Sequence, residues 1–586
     1  MNRTVATLAA TTLLLAGCAK GATQAKAPVL PEKPADSKIG AITVGTAADS
    51  VGPAIEIPGG KKGGTIHALF SSDVAHLDPA QTYFVDQSQT SELLNRGLIG
   101  YKQLRSGDAL IVGDLATDTG TTKDGGRTWT FTLKDGVKWE DGTPLTAADV
   151  KWSFERLFDP IITQGPVYIQ QWLVKGDYRK AYPGPYGGKH LDAIKATDDK
   201  TIEFTLTEPH PDFNMALGMT GYEIVPKAQT EDRSKEKEYD KKPFSSGPYR
   251  VVSHIADKSM ELERNPNWDP ATDPIRNAYP DKWKFEFGVT IQQATDRFMA
   301  DGGDDKYAIN IYGIGPERQP EVLADAALSK RTISGLAPFT QYVAINTKRI
   351  TNLKVRQAIQ KAWPLAAIHK LSGGDMGYGY MASTTMNPTV VGYRKFDVYG
   401  QLDQPDGDVE AAKKLLAESG EKDPTVIYAY PNRPLAQKTA LLVQEALTKA
   451  GFRYVGKEID ANLWGDTISK IDKKIDVHPT GWASDWPDAS TVIPPLFDGR
   501  HLQDGSTNYS LYNNPEVNAA IDAANKLTDP IERGAAWSKI DEMAIKDVAI
   551  IPTFFRTYLD LHGSKVWGEL DTLWGATNLK TVYITE

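Results

Sequence analysis

The chain has 586 residues, too many for one compact core, so two or three domains are expected. Its formal net charge is −9 at pH 7, and lysine pairs such as Lys241-Lys242 and Lys473-Lys474 read most simply as solvated faces. That balance argues against a nucleic-acid binder, which needs enough clustered cations to neutralise several phosphates.

At the N-terminus Arg3 supplies a small positive region and Val5 to Ala16 an apolar run, which ends in Leu15-Ala16-Gly17-Cys18. The run is too short to span a bilayer, so residues 1–18 read as a cleaved signal peptide. Leu-Ala-Gly-Cys is similar to the lipobox of bacterial lipoproteins, which implies that Cys18 carries the lipid and heads the mature chain. Cys18 is the single cysteine, so it makes no internal disulfide and no zinc site unaided. A cysteine carrying two acyl chains anchors stably where one chain would not. No later stretch approaches 18 consecutive apolar residues, the length that would suggest a spanning helix. Residues 19–60 are rich in Ala, Pro, Gly, Lys and Thr and lack aromatics, which predicts a disordered tether. Its reach would be about 35 Å by square-root scaling.

Order is expected from Gly63 to Phe70, an apolar run that reads as a strand. Between Thr128 and Glu140, Trp129, Phe131 and Leu133 alternate as one face of another, before a turn at Asp141-Gly142. Thr146 and Asp149 form a helix-start pattern, and Val150, Phe154 and Leu157 continue at helical spacing. Asp301-Gly-Gly-Asp-Asp305 lacks the ligand alternation of an EF-hand and reads as a solvated turn. Trp363-Pro364 interrupts a helical pattern running from Leu353 to Leu371, so Pro364 is expected to open a second helix. Asp408 caps a helix carrying Ala412, Leu415 and Leu416, with Gly420 as its stop. Thr425 to Tyr430, Leu435 to Ala450 and Phe452 to Ile459 read as strand, helix and strand, a unit native to α/β lobes.

The chemistry-bearing motifs of common enzymes are missing. There is no His-Glu-x-x-His, Gly-x-Ser-x-Gly, Walker A loop or Gly-x-Gly-x-x-Gly, and the Ser-x-x-Lys matches at Ser234 and Ser419 lack their partner motifs. Binding remains. The stretch Gly481-Trp482-Ala483-Ser484-Asp485-Trp486-Pro487-Asp488 puts two indoles and two carboxylates in eight residues, a combination that grips a cationic group or, equally, turns a chain.

Asp124 to Val150, with its Lys-Asp-Gly-Val-Lys-Trp-Glu-Asp-Gly core, resembles the signature region of family 5 solute-binding proteins, the oligopeptide and dipeptide receptors of ABC importers. Leu77-Asp78-Pro79 precedes it in family order. Ser246-Gly-Pro-Tyr249, Leu262 to Trp268, Val343-Ala-Ile-Asn346 with Val355 to Ile359, and the Gly481 stretch follow it. The resemblance implies an α/β, two-lobed periplasmic-binding-protein-like fold of the large type II class. Lobe one would cover residues 61–342 with an extra subdomain at about 96–210, lobe two 343–545, and residues 546–586 would return to lobe one. The chain would cross near Tyr342 to Asn346, and Ile550 to Phe554 would complete lobe one.

The same resemblance implies that Asp485 receives a peptide's α-amino group, with Ala483 and Tyr83-Phe84-Val85 along an extended ligand. Tyr312, Tyr342, Trp464 and Trp482 are the aromatic candidates for the walls, and each fits a core equally well. Asp488 is assigned to turn chemistry and Trp486 has no role. Where some oligopeptide receptors carry an arginine two residues before the Gly-Trp pair, this chain has Pro479, and Lys470 is the candidate replacement. The implied function is a monomeric, lipid-anchored extracytoplasmic receptor that delivers peptides to the permease and ATPase of an ABC importer, without catalysis, metal or cofactor. The alternatives keep the fold with another solute, such as a nickel complex or oligosaccharide, or make it a surface signal receptor or chaperone; a secreted hydrolase is disfavoured.

Overall fold

The computed structural model describes residues 42–585 apart from 105–108, 316, 462, 569–574 and 576. The signal peptide, Cys18 and residues 19–41 of the tether lie outside the described residues. The later part of the predicted tether is ordered. Ile42–Val44 pairs in parallel with Ala109 to Ile111, and the Ser50 hydroxyl accepts a hydrogen bond from Gly113 N at 2.9 Å. A segment too polar to fold alone has added an edge strand to a sheet built by other residues.

Lobe one rests on a five-stranded mixed sheet in the order Ala308–Ile309, Thr65–Leu69, Lys282–Glu286, Ser259–Arg264, Tyr249–Ile255. Lys-Trp-Lys-Phe-Glu at 282–286 shows why it forms. Lysines and glutamate face out while Trp283 and Phe285 pack on Phe70, Met260 and Leu262. The extra subdomain carries a four-stranded antiparallel sheet, Thr121–Thr122, Thr128–Thr132, Thr201–Thr205 and Ile194–Ala196, under the helix Ala147–Arg156. Trp129, Phe131 and Phe204 meet Val150 and Phe154 there. The predicted cap is present, with Thr146 N donating to Asp149 Oδ2 at 2.9 Å.

Lobe two is built on a six-stranded sheet ordered Gly379–Met381, Ile550–Leu561, Thr332–Ile345, Val477–Ala483, Thr425–Pro431, Arg453–Ile459. The strand-helix-strand unit read from the sequence is there: Thr425–Pro431 and Arg453–Ile459 pair in parallel across the helix Pro434–Lys449. Asp408 caps Val409–Ser419 by accepting from Ala411 N at 2.9 Å, and Gly420 ends it at φ +76°. The break at Trp363-Pro364 separates Leu353–Ala362 from Leu365–Leu371, with Pro364 just before the second helix.

Two long antiparallel strands, Thr332–Ile345 and Ile550–Leu561, join the lobes. At one end Ile333, Leu559 and Leu561 pack into the cores of lobe one. At the other, Val343, Ile345, Ile551 and Phe554 pack on Ile359 and Val443 of lobe two. The pairing register breaks between Leu336 and Thr340, around Pro338, a residue with no N–H to give to a ladder. The chain therefore changes lobe before Tyr342 on the way out and beyond Phe554 on the way back. Ile550 to Phe554 belongs to the core of lobe two, against the expectation that it completes lobe one; a run of apolar β-formers marks a buried strand without naming the layer that buries it.

The Leu77-Asp78-Pro79 motif ties lobe one together. Asp78 accepts from Ala80 N at 3.0 Å, starting a helical turn with Pro79 at its first position. Its carboxylate also meets Arg156 from the subdomain helix, Nη1 to Oδ1 at 3.2 Å, while Arg156 Nε donates to Glu236 at 2.9 Å. All three side chains are buried. One guanidinium thus holds two carboxylates drawn from sites 78 and 80 residues away. Arg156→Ala is expected to lower the unfolding free energy by about 3–5 kcal/mol in urea titrations, because it strands buried anions. Lys200→Ala, which breaks an exposed pair with Asp135, should leave the midpoint unchanged.

Candidate functional site

A cleft of about 650 Å³ separates the lobes beside the crossing strands. Lobe one contributes the N-terminal end of helix Val85–Leu94, with Tyr83 and Phe84 ahead of it, and the Gly218 to Thr220 turn. Lobe two contributes the end of strand Val477–Ala483, which pairs with the outgoing crossing strand so that Thr340 faces Trp482 and Phe339 faces Ala483. A Cβ at Gly481 would stand 2.2 Å from a ring carbon of Phe339, so a larger residue here would displace that ring. The Trp482 indole is fixed by donating to the Thr491 carbonyl at 2.7 Å.

Beyond Ala483 the chain leaves the sheet and presents Asp485 across the lobe boundary. The Tyr168 hydroxyl donates to Asp485 Oδ2 at 2.5 Å and the Tyr83 hydroxyl to Oδ1 at 3.3 Å, both from lobe one. Burial pushes the Asp485 carboxyl above the ordinary carboxylate range, while the two phenol hydrogen bonds oppose that rise by favouring the anion. Burial and the adjacent Asp485 push Tyr83 up to about 12 and raise Tyr168 further, so both stay protonated donors at neutral pH. Among the described residues Asp485 has neutral donors and no cationic partner, which leaves its charge available to an ammonium group.

Of the residues predicted from sequence, Asp485, Trp482, Ala483, Tyr83 and Val85 meet around this cleft. Three do not. Tyr342 is 2% exposed in the middle of the six-stranded sheet, which is covered on both faces. Tyr312 packs edge-on to Phe70 at 5.5 Å in lobe one. Trp464 sits behind the cleft wall, against Ala429, Ile459 and Ile475 and edge-on to the buried His478 ring. Lys470 also fails as a cleft cation, because it pairs with Asp504 at 3.3 Å on the surface, while Pro479 lies opposite Val343 inside the sheet.

Sequence reasoning missed Tyr168, Tyr101, Phe339, Tyr509 and the Glu92–Lys580 ion pair, whose nitrogen and oxygen lie 2.7 Å apart in the cleft wall. Phe339 had a local signal, as the residue after Pro338 in a β-rich run. The others come from segments with no motif. Trp486 and Asp488 also acquire roles. Asp488 is buried against Arg533 at 2.6 Å and accepts from Trp537 Nε1 at 3.0 Å, in addition to the turn bond from Ser490 N at 2.9 Å. The Trp486 indole is 2% exposed and enters the subdomain core of lobe one, where Nε1 donates to Asp212 at 3.0 Å.

Comparison with known proteins agrees with this architecture. Residues 111–504 match the profile of the bacterial extracellular solute-binding proteins, family 5 middle region. The chain is 26% identical to the periplasmic oligopeptide-binding protein OppA of Salmonella typhimurium over 546 residues, 89% of this chain and 92% of that protein. It is 26% identical to the oligopeptide-binding protein OppA of Bacillus subtilis over 460 residues, 76% and 79% of the two. Among solved structures, clavulanic acid biosynthesis oligopeptide binding protein 2 superposes with a TM-score of 0.82 at 29% identity, covering 94% of this chain and 98% of that one. With the profile matched over more than half of its length and the two lobes closing on a cleft lined by the Gly-Trp-Ala-Ser-Asp strand end, the chain belongs to the bacterial extracellular solute-binding proteins of family 5, a family of binding proteins and not of enzymes.

Proposed function

We propose that this chain captures peptides by their free α-amino group and delivers them to an ABC importer, while a lipid on Cys18 holds it to the outer face of the cell membrane. The observation that carries the reading is Asp485: an uncompensated carboxylate in the cleft, held by hydroxyls of the opposite lobe. An ammonium placed there would be bonded to lobe two and adjacent to lobe one, so that capture and lobe closure favour each other. The aromatic lining of Tyr83, Phe84, Phe339, Trp482 and Tyr509 offers contact area without charge preference along the rest of the ligand. The names of the relatives, oligopeptide-binding proteins, point the same way. For the anchor the support is the Leu-Ala-Gly-Cys18 sequence, and no helix among the described residues is long and apolar enough to cross a membrane.

Short peptides are expected to raise the melting temperature of the protein stripped of bound ligand, and their N-acetylated counterparts to leave it unchanged. Asp485→Ala should weaken peptide binding at least tenfold in calorimetry, since a charge-assisted hydrogen bond contributes about 1.5–3 kcal/mol. If no member of a varied peptide panel shifts the melting temperature, the peptide reading is wrong.

Acidification tests the same carboxylate. Its pKa is raised in the fold, so in the free protein its contribution to stability is lost as pH rises through the window between the unfolded and folded values. Affinity for an ammonium runs the opposite way. It should fall as pH drops through the raised value, beginning above the ordinary carboxylate pKa near 4, and Asp485→Asn should flatten the profile. Finally, Cys18→Ser should abolish incorporation of labelled fatty acid and move the protein from the membrane to the soluble fraction; incorporation unchanged by the substitution would rule out the anchor.

A further inference from the structure

Asp485 lines the cleft, and the next residue, Trp486, lines a second cavity of about 540 Å³ that both lobes also enclose. The cavity has an aromatic wall. Trp172 stacks on His210 with ring centroids 4.0 Å apart at 17°, and Trp486 stands edge-on to Trp172 at 5.7 Å and to Tyr168 at 4.9 Å. Asp212, which is 5% exposed, completes the lining. Its Oδ2 accepts from Trp486 Nε1 at 3.0 Å and from Ser490 Oγ at 2.6 Å. Both donors are neutral, and among the described residues no lysine, arginine or histidine nitrogen lies within ion-pair distance of this carboxylate.

The neighbouring charges do not make good the deficit. Arg533 is held by Asp488, and His210 is kept neutral at pH 7 by burial. A buried carboxylate without a counter-ion is costly unless a ligand supplies the missing charge. Aromatic rings beside such a carboxylate attract organic cations through their electron-rich faces, and the volume is that of a small-molecule site. An anion would be repelled by Asp212.

We propose that this second cavity binds an organic cation, an ammonium or guanidinium group, between the Asp212 carboxylate and the Trp172, Trp486 and Tyr168 rings. The inference is independent of what occupies the main cleft. The cation is either a free small molecule or a basic side chain of a ligand lodged in the cleft, and the same groups would hold both.

The test uses benzamidine as the cationic probe and benzamide as its neutral counterpart, with tryptophan fluorescence and calorimetry on the wild-type chain, Asp212→Asn and Trp172→Leu. Thermal melts establish that each variant is folded. Benzamidine is expected to bind wild type, benzamide not, and each substitution to weaken benzamidine at least tenfold. In parallel, peptides carrying lysine are compared with the same peptides carrying norleucine. A lysine preference that Asp212→Asn abolishes, without benzamidine binding, identifies the source as a ligand side chain. Benzamidine binding that survives both substitutions overturns the proposal, as does the combination of no benzamidine binding and no lysine preference dependent on Asp212.

Discussion

Thr332–Ile345 and Ile550–Leu561 run side by side through the boundary between the lobes, and the register of that pair decides what every other element can reach. Because backbone hydrogen bonds fix the pair at both ends, the lobes cannot slide along it. The ladder offers least resistance to bending where it is interrupted, at Leu336 to Thr340. The cleft opens beside that interruption, with Pro338 and Phe339 in its wall. The strand that ends in Trp482 and Ala483 is paired to the same residues, so the cleft-facing surface of lobe two is registered directly to that interruption.

Four aspartates show how surroundings, not residue type, assign a role. Asp78 and Asp488 are compensated by Arg156 and Arg533 and serve the fold. Asp485 and Asp212 receive hydrogen bonds from neutral donors, Tyr83 and Tyr168 in one case, Trp486 and Ser490 in the other. Neutral donors hold a carboxylate in place without spending its charge. In both cases at least one of them comes from the opposite lobe.

Features encoded locally were readable from the chain. The Thr146 to Asp149 cap, the stop at Gly420, the break at Trp363-Pro364 and the strand-helix-strand unit each depend on residues within one element or its edge. Asp485 and Trp482 were readable because they share a short motif with Gly481. What the chain could not display was which face an aromatic residue turns to, and that decides whether it is wall or core. Tyr342 lies in a strand buried on both faces, where alternation no longer separates inside from outside. Tyr168 donates to a carboxylate 317 residues away, and Arg533 pairs with one 45 residues away. No periodicity reports contacts of that kind. Ile42–Val44 escaped notice for a related reason, as three residues gain a strand from a partner 67 positions on.

The Trp486 indole is buried in lobe one and is absent from the lining of the main cleft. Whatever free energy its burial contributes to bringing the lobes together is therefore identical for every cargo that stays within the main cleft. A shared contribution multiplies all affinities by one factor and leaves their ratios untouched. For such cargo tightness and choosiness are separable properties: the indole scales the first, and the side chains that line the main cleft are left to set the second.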